Sequence, residues 1–110
     1  MRTLPIALIL TTALVAAAPA AAATRTVRVG DDWFVRDGSP RTVSISRGDT
    51  VRWRWTGRDQ HNVAVQRGPS TFQSELKRSG TFSRKLRRRG TYRIICSIHQ
   101  PDMRMTLRVR

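Results

Sequence analysis

The chain has little cysteine, histidine and tyrosine, and few acids. Its 110 residues include one Cys, two His and one Tyr, and 7 Asp and Glu stand against 21 Lys and Arg, which gives a formal net charge of +14. A single cysteine excludes a disulfide framework within the chain. No convincing amphipathic helix is present either, which excludes a helical bundle. What remains is a small, basic, strand-rich protein.

The one long apolar run lies at the N-terminus. Arg2 precedes the apolar residues 4–18, and small-residue cleavage sites end at Ala20 and Ala23. This pattern predicts a secretory signal peptide over residues 1–23; the alternative is an uncleaved membrane anchor, for which the run is short. We therefore expect one monomeric domain over residues 24–110, periplasmic or extracellular, with no stable membrane insertion after cleavage. Only Arg2 of the basic residues would be lost, so the mature charge would be +13.

Alternating apolar and polar residues predict short strands through the rest of the chain. The clearest case is 51–55, where Val51, Trp53 and Trp55 share one face. Residues 71–79 fit either a loop or a short helical turn. The predicted strands are 26–29, 31–35, 42–45, 51–55, 62–65, 81–86, 92–96 and 105–109, and the predicted turns are 37–40, 47–49 (a hairpin) and 87–90. The expected fold class is all-β, a Greek-key antiparallel β-sandwich.

Residues 90–103 bring together a thiol, an imidazole and a thioether. Cys96, His99 and Met103 fall within eight residues of one another. A copper site of the electron-transfer type uses two His and one Cys in a plane, with a long axial Met. The second His can only be His61, the other histidine of the chain. The alternatives are a buried structural thiol for Cys96 and an exposed loop residue for His61.

Two methionines outside the leader compete for the axial position. Met105 falls within the last predicted strand, at the parity of the core residues, whereas Met103 lies in the loop that follows His99. The loop position favours Met103 as the copper ligand and leaves Met105 to the core.

Residues 90–103 read Gly-Thr-Tyr-x-Ile-Ile-Cys-Ser-Ile-His-x-x-x-Met. This stretch resembles the ligand loop of the cupredoxins, the type 1 blue copper proteins of the plastocyanin, pseudoazurin and amicyanin kind. Residues 49–53 are similar to the family's G-D-T-V-x-W strand, and residues 61–63 to its first-ligand segment. The resemblance covers nearly all the chain after Ala23. The loop departs from the family in having three residues between His99 and Met103, where relatives commonly have two or four.

The resemblance implies one copper ion, Cu(I) or Cu(II), held by His61, Cys96, His99 and Met103 in a one-electron carrier. A copper storage or delivery protein with the same ligands is the alternative. An enzyme is not expected, because four protein ligands leave no open position for a substrate. The resemblance also implies that Asn62 ties the His61 segment to the segment of Cys96 and Ser97.

A basic cluster is formed by Arg84, Lys85, Arg87, Arg88 and Arg89. It is either a solvated hairpin or a docking patch for an acidic redox partner or an anionic surface. Nucleic acid is not an expected partner, because no aromatic residues interleave with the basic run. Arg84 has the parity of the apolar residues of its strand, which predicts an edge strand or a side chain that extends out to solvent.

Overall fold

Eight β-strands occur in a computed structural model of the chain, which describes residues 2–14, 21–35 and 41–110. No helix occurs within those ranges, so the predicted all-β class is confirmed. The turn predicted at 37–40 lies outside the described residues. In chain order the strands are β1 (Thr24–Gly30), β2 (Trp33–Phe34), β3 (Thr42–Ile45), β4 (Thr50–Trp55), β5 (Ala64–Arg67), β6 (Thr81–Lys85), β7 (Gly90–Ile95) and β8 (Arg104–Val109).

The strands form two four-stranded sheets with the orders β2-β1-β4-β6 and β3-β8-β7-β5. The pairs β1–β4 and β3–β8 are parallel, and the other neighbours are antiparallel. The predicted sandwich is confirmed, and both of its sheets are mixed rather than antiparallel throughout.

The core lies between the sheets and is built on the alternation predicted for β4. Val51, Trp53 and Trp55 are buried, and the intervening arginines are exposed. The Trp53 ring lies 5.8 Å from the Phe72 ring centroid, and its indole N–H points to the Met105 sulfur at 3.5 Å. The last strand is therefore joined to the opposite sheet by an aromatic–sulfur contact as well as by apolar burial.

The strand β6 lies at the edge of its sheet. Arg84 is exposed there, with its guanidinium carbon 5.3 Å from the centroid of the Phe72 ring. The edge position predicted from the parity of Arg84 is therefore confirmed. A charged side chain on an edge strand also hinders pairing with another sheet.

The hairpin predicted at 47–49 is wrong, and the solvated hairpin considered for the basic cluster does not form either. Residues 47–49 connect β3 to β4, and residues 87–89 connect β6 to β7, and in each case the two strands belong to opposite sheets. The two connections instead bond to each other, since Gly48 N donates to Leu86 O at 2.7 Å and Leu86 N to Asp49 O at 2.9 Å. Turn composition alone does not say whether the next strand returns to the same sheet.

The segment between β5 and β6 is extended rather than helical. It forms isolated bridges between His61 and Lys77 and between Ala64 and Gln73. The strand predicted over 62–65 begins only at Ala64. The reason is that His61 pairs with Lys77, between β5 and β6, before the β5–β7 ladder starts.

The strand directions give the sandwich two distinct ends. β1, β4 and β7 all run toward the end that carries His61 and His99, which we call the histidine end. The opposite end carries residues 47–49 and 87–89 and the C-terminal Arg110, and we call it the arginine end. The basic cluster therefore lies at or near the end opposite the two histidines.

Residues 2–14 form neither helix nor strand, and their apolar side chains are exposed, with Leu4 at 88%. None of the described residues belongs to a helix with the length and apolarity needed to cross a bilayer. The signal peptide over residues 1–23 stays a prediction.

Asp49 holds the arginine end together and gives a test of the fold. Its Oδ1 accepts from Ala23 N and its Oδ2 from Ser46 N, both at 2.9 Å. The N–H groups of Ala23 and then Ser46 lower the pKa of Asp49 below its ordinary 3.8. A lowered folded-state pKa contributes stability above the ordinary value, and that stability is lost as the pH falls through the folded pKa.

We expect Asp49→Asn to lower the melting temperature at neutral pH in a chain that retains Ala23. The difference from the wild type should shrink as the pH falls below about 4, where both chains lack the charge. Thermal unfolding followed by circular dichroism across pH 2.5–7 measures this. Asp102→Asn, an exposed charge-matched control, should show no such convergence, and a constant Asp49→Asn difference at all pH values would contradict the assignment.

Candidate metal centre

Three donor side chains converge at the histidine end. The Nδ1 atoms of His61 and His99 are 3.2 Å apart, and they lie 3.9 Å and 3.4 Å from the Cys96 sulfur, respectively. Within the described residues, this is the one group of three or more His, Cys, Asp or Glu whose ligand atoms all lie within 4.8 Å of one another. Residues 35 and more positions apart in the sequence are thus brought to one point by the sandwich.

The β7–β8 connection positions Cys96 and His99. Cys96 directly follows β7, where the buried alternation of Tyr92 and Ile94 continues onto it. Cys96 N donates to Met103 O at 3.1 Å, His99 N to Cys96 O at 3.2 Å, and Met103 N to His99 O at 3.0 Å. These backbone bonds close the loop on itself and turn the His99 ring back toward the thiol.

His61 is positioned from the other sheet. It follows β4 through a short loop, and its backbone N and O both pair with Lys77. The buried Trp55 indole donates to the carbonyl of His61 at 3.1 Å. His61 is fully buried, which excludes the exposed loop residue considered from the sequence.

Asn62 joins the two segments, as predicted. Its Oδ1 accepts from Ser97 N at 2.8 Å and from Ser97 Oγ at 3.1 Å. Asn62 is buried, so losing these bonds would leave polar groups without partners. The side chain therefore fixes the distance between the His61 segment and the Cys96 segment.

The two methionines have different surroundings. Met105 lies on β8 with its sulfur near the Trp53 indole N–H, inside the core. Met103 is equally buried but lies in the connection, bonded through its backbone to Cys96 and His99. Met103 is thus the methionine that shares a loop with the converging donors.

Two acids outside the predicted ligand set contact the histidines. Nε2 of His61 lies 3.0 Å from Asp31 Oδ1, and Nε2 of His99 lies 3.2 Å from Asp32 Oδ1. Both acids form the turn between β1 and β2, so the strand predicted over 31–35 is shorter, Trp33–Phe34. The sequence does offer one signal for this pair, because the chain has only 7 acids and these two are adjacent.

Access to the site differs among the donors. His61 and Cys96 are fully buried, whereas the side chain of His99 is 30% exposed. Ile98 beside it is an exposed apolar residue. The edge of the His99 ring is therefore the part of the donor group that a molecule in solution can approach.

The donor chemistry fits copper. A thiolate and two imidazoles are ligands that copper accepts in electron-transfer sites. A neutral imidazole that donates Nε2–H to its carboxylate has its lone pair on Nδ1, so in that tautomer the three converging atoms would have only the thiol proton to share. A cation at this point would satisfy all three.

Comparison with known proteins agrees with the donor group. Residues 37–110 match the model of the copper binding proteins of the plastocyanin/azurin family. Plastocyanin from Prochlorothrix hollandica is 31% identical over 103 residues, covering 86% of this chain and 79% of that protein.

Among solved structures, a reduced-state mutant of amicyanin superposes with a TM-score of 0.66 at 22% identity, covering 79% of this chain and 82% of that one, which bears on the fold alone. The Cu-containing nitrite reductase of Thermus scotoductus SA-01 superposes with a TM-score of 0.65 at 25% identity and covers 90% of this chain. The present chain spans only 25% of the reductase. Taken with the His61, Cys96 and His99 donor group, these matches establish that the chain belongs to the plastocyanin/azurin family of copper-binding proteins, the cupredoxins, with one copper ion as its cofactor.

Proposed function

We propose that this protein is a one-electron carrier in which His61, Cys96 and His99 bind copper and Met103 is the axial ligand. The observation that carries the proposal is the convergence of two Nδ1 atoms on a buried thiol, with one of the two rings reaching the surface. Bound copper would supply exchange of a single electron between Cu(I) and Cu(II).

The surroundings of the donors favour a carrier over copper storage or delivery. Cys96, His61 and Met103 are buried, and their segments are tied by Asn62 and by the closed β7–β8 loop. Donors held in this way rearrange little, which suits electron transfer, whereas delivery requires the ligands to open. The exposed edge of His99 offers the electron its way in and out.

An enzymatic role is not proposed. Four donors from the protein leave no open position at the metal for a substrate. The likeness to the nitrite reductase concerns a quarter of that chain, so its activity is not transferred to this one.

Export is part of the proposal. Residues 1–23 would be the leader and residues 24–110 the mature domain, in the periplasm or outside the cell. Two observations support export. In the leader a basic residue, Arg2, precedes the apolar run 4–18, and the first strand, β1, begins at Thr24. Intact mass of the secreted protein gives the cleavage site, and it also shows whether Ala23, which bonds to Asp49, is retained.

The redox partner would dock over His99. Ile98 is 52% exposed and lies beside the exposed edge of the His99 ring. The basic cluster is remote from this surface, since β7 spans about 17 Å at roughly 3.3 Å per residue. Its contribution would be steering of an acidic partner by the net charge, not contact.

Cys96→Ser tests the copper assignment. The thiolate is the softest donor present, so the variant should lose most of the Cu(II) affinity and the intense band near about 600 nm expected for Cu–thiolate charge transfer. The visible spectrum of the Cu(II)-loaded protein measures this, with Ser97→Ala as a neighbouring control that should keep a band. Retention of the band in Cys96→Ser would remove Cys96 from the ligand set.

Met103→Leu and Met105→Leu form a matched pair. Because the axial ligand tunes the potential, Met103→Leu should shift the midpoint clearly while copper stays bound. Met105→Leu should change the midpoint little and lower the stability, by about 1–3 kcal/mol, because it leaves the buried Trp53 indole N–H without its sulfur partner. Voltammetry and thermal unfolding separate the two effects, and a larger midpoint shift from Met105→Leu would reverse the assignment.

The dependence of the electron-transfer rate on salt concentration distinguishes contact with the docking surface from electrostatic steering. Ile98→Ser should slow electron transfer with an acidic redox protein at every ionic strength, because it alters the contact surface. Joint replacement of Arg87, Arg88 and Arg89 by Gln should slow it mainly at low salt, since the Debye length falls from about 30 Å at 0.01 M to about 10 Å at 0.1 M. Stopped-flow rates at several salt concentrations measure both, with the copper spectrum as the check on the site. A wild-type rate indifferent to salt would exclude steering.

A further inference from the structure

The turn between β1 and β2 presents its two side chains to the two histidines of the copper site. Asp31 Oδ1 lies 3.0 Å from Nε2 of His61, and Asp32 Oδ1 lies 3.2 Å from Nε2 of His99. Each histidine therefore has one ring nitrogen toward the Cys96 sulfur and the other toward a carboxylate. No other acid among the described residues pairs with either ring.

We propose that Asp31 and Asp32 are positioning residues of the copper centre, each of which fixes the tautomer and the orientation of one ligand imidazole. A carboxylate only accepts hydrogen bonds, so the proton of a neutral ring facing it lies on Nε2. The lone pair is then on Nδ1, the atom directed at the donor group. Carboxylates in this position also raise the basicity of the ligand. The inference rests on the proposed function, since it takes the two rings to be copper ligands.

Asp31 is itself held in place. Its carboxylate accepts from Arg58 N at 3.0 Å and from Asp59 N at 2.9 Å, in the loop that leads to His61. The Asp59 N–H first, then His61 and the Arg58 N–H, lower the pKa of Asp31 from 3.8 to about 2. A Cβ added at Gly57 would collide with this carboxylate, so the loop sequence leaves room for it. Asp31 thus links the β1–β2 turn, the loop and the ligand ring.

Asp32 provides the cleaner variant. It is 65% exposed, and its backbone has φ +67°, a conformation that glycine and asparagine adopt readily. Asp32→Gly removes the carboxylate without backbone strain, and Asp32→Asn removes the charge but keeps an acceptor. Asp31→Asn is the parallel change at His61, although it also weakens the loop. Asp102→Asn is the charge-matched control, because Asp102 lies beside His99 in the same shallow surface depression and pairs with neither ring.

The first experiment uses the metal-free full chain. Long-range ¹H–¹⁵N spectra should show both His61 and His99 as Nε2–H tautomers. Asp32→Gly should give His99 a mixture of tautomers and exchange of its Nε2–H at least tenfold faster, while His61 is unchanged. Asp102→Asn should leave both rings as in the wild type. An unaltered His99 in Asp32→Gly would overturn the positioning role of Asp32.

The second experiment uses competition titrations with Cu(II) and with Cu(I). Asp32→Asn and Asp31→Asn should each weaken Cu(II) binding by about 10- to 100-fold, and Cu(I) binding by less, because a carboxylate favours the more highly charged ion. Each tenfold fall in the Cu(II)-to-Cu(I) affinity ratio equals a rise of about 59 mV in potential. An equal effect of Asp102→Asn would show general charge rather than contact and would overturn the proposal. A wild-type chain with Nε2–H tautomers that binds no copper would overturn the proposed function and leave the carboxylate–histidine contacts supported.

Discussion

The site depends on one short distance that crosses the sandwich, the 3.9 Å between His61 Nδ1 and the Cys96 sulfur. His61 follows β4 of one sheet, and Cys96 follows β7 of the other, so any sliding of the sheets would separate them. The buried bonds from Ser97 to Asn62 oppose such sliding directly. The contact between the Trp53 indole and the Met105 sulfur opposes it from within the core. Packing between the sheets is thus a condition for the chemistry of the donors.

The parts of the site that follow one another closely in sequence could be predicted from it. Cys96 and His99 lie in one connection, and a donor set that needs two imidazoles in a chain with two histidines leaves no choice at His61; Met103 as a ligand stays a prediction. The alternation of Val51, Trp53 and Trp55 likewise gave a strand with one buried face, as found. These predictions succeed because the alternation of a strand and the combination of copper-binding side chains can both be read from residues that are close together in the sequence.

The contacts between distant segments could not be predicted in this way. Asp31 and Asp32 meet the histidines only because β1 runs parallel to β4 and delivers its turn to the same end. Residues 47–49 and 87–89 have the composition of hairpin turns, yet both cross to the opposite sheet, since pairing is decided by which face each strand can bury. Neither fact is expressed in the residues of the turn itself.

The strand topology also keeps the arginines of residues 87–89 apart from the acids that contact the two histidines. The formal net charge is +14, yet a carboxylate lies 3.0 Å from His61 and another lies 3.2 Å from His99. The arginines of residues 87–89 lie beyond the far end of β7, about 17 Å away, where solvent and salt screen them. Interaction energy falls as the distance and the local dielectric constant increase, so the near carboxylates would act on a bound copper ion far more than the remote arginines would. Under the proposed function, the steering of a partner and the tuning of the copper would therefore be open to independent alteration.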